Sequence, residues 1–99
     1  MIRHIVLFRF KVELDEATVA AAVSAFRALP SAIADVAAFE DGPNVSPEGL
    51  AQGYSHAFLL SFASAQARDA YLVHPAHTAF VAFVQPQIEQ VLVFDWVAG

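Results

Sequence analysis

Four histidines, His4, His56, His74 and His77, are the side chains best suited to move a proton near neutral pH. His74 and His77 stand three apart, a spacing that places two imidazoles on one side of a helical turn. A metal would ask for a third and a fourth ligand. The sequence offers no obvious local carboxylate beyond Asp69, so no metal site is expected. His74 precedes Pro75, which biases it to extended backbone, so it is expected to end one helix and cap the next. That leaves His77 as the acid/base candidate, because a proton shuttle works best with a pKa near the operating pH. Tyr71, close by in sequence, could offer a phenol proton to a developing enolate oxygen.

The elements that must hold these groups are legible as periodicities. Ile2 to Lys11 alternates as a strand, with Ile2, His4, Val6, Phe8 and Phe10 on one face. Asp15 suits an N-cap, and Val19, Ala22, Val23, Phe26 and Leu29 form a helical stripe that Pro30 should stop. Val36 to Glu40 reads as a second strand. A turn-rich connection through Asp41-Gly42-Pro43-Asn44 and Ser46-Pro47-Glu48-Gly49 follows it. Tyr54 to Phe62 reads as the third strand, and Ser64 should cap a second helix carrying Ala67, Ala70 and Tyr71. A new helical segment begins at Pro75 and runs to about Gln85, and Val91 to Val97 is the last strand.

The resulting order, β-α-β-β-α-β, is that of a single ferredoxin-like α+β domain spanning residues 1–99. Its antiparallel sheet should run in strand order 4-1-3-2 with the helices on one face. Strands one and four are then antiparallel neighbours, so His4 and Asp95 fall side by side, and a carboxylate there would fix the imidazole tautomer. His56 opens strand three, at the other end of the sheet from His4.

Composition limits what such a domain can do. Apolar residues make up 58% of the 99, nine of them Phe, and the mean hydropathy is +0.52. No apolar run approaches the ~20 residues of a membrane span. The first residues have neither the apolar length nor the cleavage site of a signal peptide, so a cytoplasmic protein is expected. There is no Cys, which removes disulfides and thiolate metal sites. With a net charge of −5 and only five Lys and Arg, the chain lacks the basic stripe that nucleic acid requires.

The same apolar excess predicts a partner. Both faces of the first and last strands are apolar: Val6, Phe8 and Phe10 against Ile5 and Leu7, then Val91 and Val93 against Leu92, Phe94 and Trp96. Leaving six such side chains in water would forfeit about 1.5–3 kcal/mol each, against a whole-domain stability of about 5–15 kcal/mol. A homodimer through the helix-free sheet face, closed into a barrel-like sandwich, removes that cost.

Five segments resemble the stress-responsive dimeric α/β-barrel family, often called Dabb. They are Ile2-Arg3-His4-Ile5-Val6-Leu7-Phe8, Gly42-Pro43-Asn44-Val45-Ser46, Gly53-Tyr54-Ser55-His56, Tyr71-Leu72-Val73-His74-Pro75-Ala76-His77 and Val91-Leu92-Val93-Phe94-Asp95-Trp96. The resemblance covers nearly the whole chain and implies a ferredoxin-like protomer dimerised through its sheets. More distantly the chain is similar to the olivetolic acid cyclases of plants, which close an aromatic ring by aldol chemistry without a cofactor. Tyr71 and His77 match the acid and base of that type. His4, His56, His74 and Asp95 match other polar residues in or near its pocket, which makes them candidate ligand-binding residues.

Three functions follow as expectations. The first is a stress-response dimer without an assignable reaction. The second is a cofactor-independent cyclase or isomerase acting on a small apolar carbonyl compound, with Tyr71 and His77 as acid and base. The third is a non-catalytic binder of a small apolar ligand. The second requires a cavity of roughly 300 Å³ or more that both residues reach.

Overall fold

The fold was obtained as a computed structural model that describes every residue from Met1 to Gly99. The alternating first segment forms β1 (Ile2–Phe10), and its even-numbered residues from His4 to Phe10 are buried. Asp15 caps α1 (Glu16–Arg27), its carboxylate accepting from the Thr18 N–H at 2.8 Å. The apolar stripe of α1 buries Ala22, Val23 and Phe26 against the sheet.

Pro30 does not stop α1 as the sequence reading expects. α1 closes at Arg27, and Pro30 sits in the first turn of a short helix, α2 (Leu29–Ala32). A first-turn N–H has no intrahelical partner to lose, so proline is tolerated there.

The second strand, β2 (Ala38–Pro43), begins later and runs further than expected, taking in Gly42 and Pro43. β2 lies at the sheet edge and pairs only with β3 (His56–Phe62). An edge strand accommodates a proline that cannot donate to the ladder. β3 starts two residues inside the expected Tyr54, and β4 (Ile88–Val97) starts before the expected Val91.

The second helical region breaks where His74-Pro75 requires. Ser64 caps α3 (Ala65–Val73), and His74 caps α4 (Pro75–Val84) by accepting the Ala76 N–H on Nδ1 at 3.0 Å. A single 3₁₀ turn, Gln85–Gln87, leads into β4.

The four strands form one antiparallel sheet in the order β2-β3-β1-β4, the expected order read from the other edge. The core lies between the sheet and the helices. Phe26 stacks on Phe58 with ring centroids 4.0 Å apart, and Phe8 and Phe80 pack around that pair. The buried aromatics of this cluster each contribute roughly 1.5–3 kcal/mol by leaving water.

β4 is the other edge, and neither of its faces is covered. On the helix side, Val91 and Val93 stand about half-exposed. On the helix-free side Phe94 is 59% and Trp96 42% exposed, beside the half-buried Ile5 and Leu7 of β1. No helix is long and apolar enough to cross a membrane.

Candidate functional site

The uncovered helix side of β4 forms one wall of a cavity of about 830 Å³, with β1, α3 and α4 supplying most of the rest and Phe26 of α1 and Gln85 completing it. Most of its wall is apolar, including Val6, Phe8, Phe80, Val84, Val91 and Val93. At one end it meets a group of polar side chains: His4, Arg68, Asp69, Tyr71, His77 and Asp95.

Tyr71 comes from the inner face of α3 and is 1% exposed, packed on Phe62 with centroids 5.1 Å apart. Burial pushes its phenol pKa well above 10, so it stays protonated and acts as a donor. His77, on α4, lies with its ring 4.5 Å from the Tyr71 ring. Its Nδ1–H donates to the Leu72 carbonyl at 2.9 Å. Leu72 lies in the last turn of α3, where carbonyls lack intrahelical partners. The helix break at His74-Pro75 thus both frees that carbonyl and brings His77 to it.

With its proton on Nδ1, neutral His77 carries its lone pair on Nε2. Burial holds its pKa below 6.5. The Leu72 hydrogen bond opposes the burial, and the nearness of His4 adds to the lowering. His77 is therefore a neutral acceptor at pH 7, beside a phenol that keeps its proton.

The expected His4–Asp95 pair forms. The two residues are direct partners in the β1–β4 ladder, and His4 Nδ1–H donates to Asp95 Oδ1 at 2.7 Å. Arg68, which the sequence analysis did not single out, joins this pair. Its Nη1–H donates to the other Asp95 oxygen at 2.8 Å, and its Nε–H donates to Asp69 at 2.8 Å. A signal was present: Arg68 stands three residues before Tyr71, on the same side of α3.

His4, Tyr71, His77 and Asp95 are thus brought together, and His56 and His74 are not. His74 stays at the start of α4, where its side chain caps the helix. His56 pairs with Phe8 and Pro43 toward the other end of the sheet. There it shares a 2.8 Å hydrogen bond with Ser55 Oγ and rests edge-on against Phe10. Burial, then the Arg27 charge, lowers its pKa, and Asp41 opposes them. His56 borders two smaller grooves rather than the large cavity. No cluster of three or more His, Asp or Glu side chains is arranged to hold a metal.

A four-stranded antiparallel sheet with its helices on one face, in this order of elements, defines a ferredoxin-like α+β fold. The chain belongs to the stress responsive A/B barrel domain (Dabb) family, whose sequence profile matches residues 2–98. It is 33% identical over 95 residues to the stress-response A/B barrel domain-containing protein HS1 of Arabidopsis thaliana, covering 96% of this chain and 87% of that one. It is 28% identical over 98 residues to olivetolic acid cyclase of Cannabis sativa, covering 96% and 94%. Among solved structures, a dimeric ferredoxin-like protein of unknown function from Thermobifida fusca superimposes with a TM-score of 0.82 at 28% identity, covering 98% and 90%.

Proposed function

We propose that two copies of the chain join through the helix-free sheet face. We further propose that the cleft of each copy carries out cofactor-independent acid/base chemistry on a small apolar carbonyl compound, as a cyclase or isomerase. Tyr71 donates its phenol hydrogen bond to the carbonyl oxygen. His77 Nε2 takes the proton from the adjacent carbon. The apolar wall along Phe8, Phe80 and Val84 holds the hydrocarbon part.

One observation carries the reading. A neutral imidazole anchored through Nδ1 to Leu72 lies against a protonated phenol, and both line an apolar cavity of about 830 Å³. That volume is within the roughly 300–1,000 Å³ of small-molecule sites. A carbon acid needs such a pair: a base for the proton and a donor for the charge that appears on oxygen. The likeness to olivetolic acid cyclase supports the cyclase form, and the dimeric Thermobifida fusca neighbour supports the pairing.

The test is exchange of the α-hydrogens of an apolar ketone, 4-phenyl-2-butanone, for solvent deuterium, followed by NMR. The protein should accelerate exchange, and Tyr71→Phe or His77→Gln should reduce that acceleration by about 10²-fold or more. Exchange no faster with the native chain than with His77→Gln would refute the catalytic reading. A rise in melting temperature with the same ketone would then leave a binding site without chemistry.

A further inference from the structure

We propose that Arg68 is a positioning residue: through Asp95 it fixes the His4 imidazole, with Nδ1 on the carboxylate and Nε2 turned toward the same cavity. The inference rests on the reading of that cavity as a carbonyl site and adds a second fixed imidazole to it.

The arrangement is a continuous chain of contacts across three elements. Arg68, on α3, reaches Asp95 Oδ2 on β4 at 2.8 Å, and Asp95 Oδ1 takes the Nδ1–H of His4 on β1 at 2.7 Å. The Arg68 Nε–H is fixed on Asp69, so its guanidinium is held from two sides. Two carboxylate hydrogen bonds raise the Arg68 pKa further, so its charge is permanent.

A carboxylate only accepts, so Asp95 Oδ1 takes a proton-bearing Nδ1 from His4. Nε2 is then the ring nitrogen left for a bound molecule.

His4 is buried, with only 5% of its side chain exposed, yet it lines the cavity. Gln87 Oε1 is the one side-chain polar atom that is both sealed from solvent and without a partner. His4 Nε2 and the Tyr71 hydroxyl, neither bonded within the chain, therefore retain access to the cavity. The His4 and Tyr71 rings meet edge-on with centroids 6.0 Å apart, and the Tyr71 and His77 rings lie 4.5 Å apart. One phenol is thus flanked by two imidazoles, each fixed at its Nδ1. His77 is fixed by a backbone carbonyl, and His4 by a carboxylate that Arg68 holds.

The two imidazoles divide their roles. His77 is set by the helix break and is independent of Arg68. His4 depends on Arg68, and its Nε2 suits a hydroxyl on the bound molecule, whether an enol or an alcohol next to the carbonyl.

The tautomers can be read without any substrate, by long-range ¹H–¹⁵N correlation spectra of the full-length protein at neutral pH. Both His4 and His77 should show a protonated Nδ1. In Arg68→Gln, Asp95 loses its second anchor, so the His4 Nδ1–H should exchange with water at least about tenfold faster, while that of His77 stays unchanged. A His4 Nδ1–H with its native chemical shift and exchange rate in Arg68→Gln would overturn the proposal. If Arg68→Gln fails to fold, Arg68→Met keeps the apolar stem and carries the same two outcomes. Because no ligand enters this measurement, its failure is separate from a failure of the deuterium-exchange test.

Discussion

Removing one ring from the helix-free face should break the proposed dimer. Phe94 is the most exposed aromatic residue of that face, at 59% in a single protomer. A Phe side chain that buries roughly 200 Å² in full would hand about 120 Å² to the partner sheet. At about 25 cal/mol per Å², that is about 3 kcal/mol per copy. A two-fold interface contains the residue twice, which gives about 6 kcal/mol for the pair. Phe94→Ala retains the β-carbon, so we expect a loss of about 4 kcal/mol, or a dissociation constant about 10³-fold weaker. Sedimentation velocity over a dilution series of the native and variant proteins measures it. Val12→Ala provides the control, since Val12 is 99% exposed in the turn after β1 and should leave association unchanged. A Phe94→Ala dissociation constant equal to that of the native protein would refute the proposed interface. So would a native chain that stays monomeric at micromolar concentration.

Further outcomes follow from the cleft and its supports. Tyr71→Phe should fold with near-native melting temperature, since no packing atom of the ring is lost, yet ketone binding measured by calorimetry should weaken about tenfold for the lost phenol hydrogen bond. Stability should fall as the solution is acidified below pH 6.5. The folded-state pKa values of His77 and His56 lie below their ordinary value of 6.5, so the unfolded chain binds the extra protons first. The stability these two neutral residues carry is fully present above pH 6.5 and is lost as pH drops through the lower, folded values. Thermal melts from pH 7.5 to pH 5 should show this slope, and His77→Gln combined with His56→Gln should flatten it. Gly53→Ala should cost about 1 kcal/mol or more in urea unfolding, because Gly53 sits at φ +84° and an added β-carbon would lie 2.8 Å from the Arg9 side chain.

Much of this arrangement was readable from residue order, for reasons that particular residues make plain. β1 alternates cleanly, so its buried row from His4 to Phe10 could be assigned in advance. The His4–Asp95 pair followed because antiparallel neighbours place the start of one strand beside the end of the other. The His74-Pro75 break was legible because proline restricts the residue before it. Pro30 misled because its effect depends on whether the helix has already ended, and Ala28 decides that by closing α1 first. Pro43 misled because a proline can occupy an edge strand, and edge status is a property of the whole sheet. Arg68 went unnoticed because its role needs β4 brought against α3, a contact 27 residues apart in sequence. Motif matching alone could not separate His56 from the cleft histidines, whereas the strand register does so at once.

The two margins of the sheet differ in how they meet other chains. β2 ends in Pro43 and carries Glu40 and Asp41, features that discourage a stray strand from adding there. β4 offers an open row of backbone groups along ten residues, with Val-Leu-Val-Phe at its centre and no proline. Short stretches of that kind, rich in β-formers and nearly uncharged, nucleate cross-β stacking when left bare. A chain with that margin bare therefore carries an adhesive ribbon, and at high concentration it would be prone to clump.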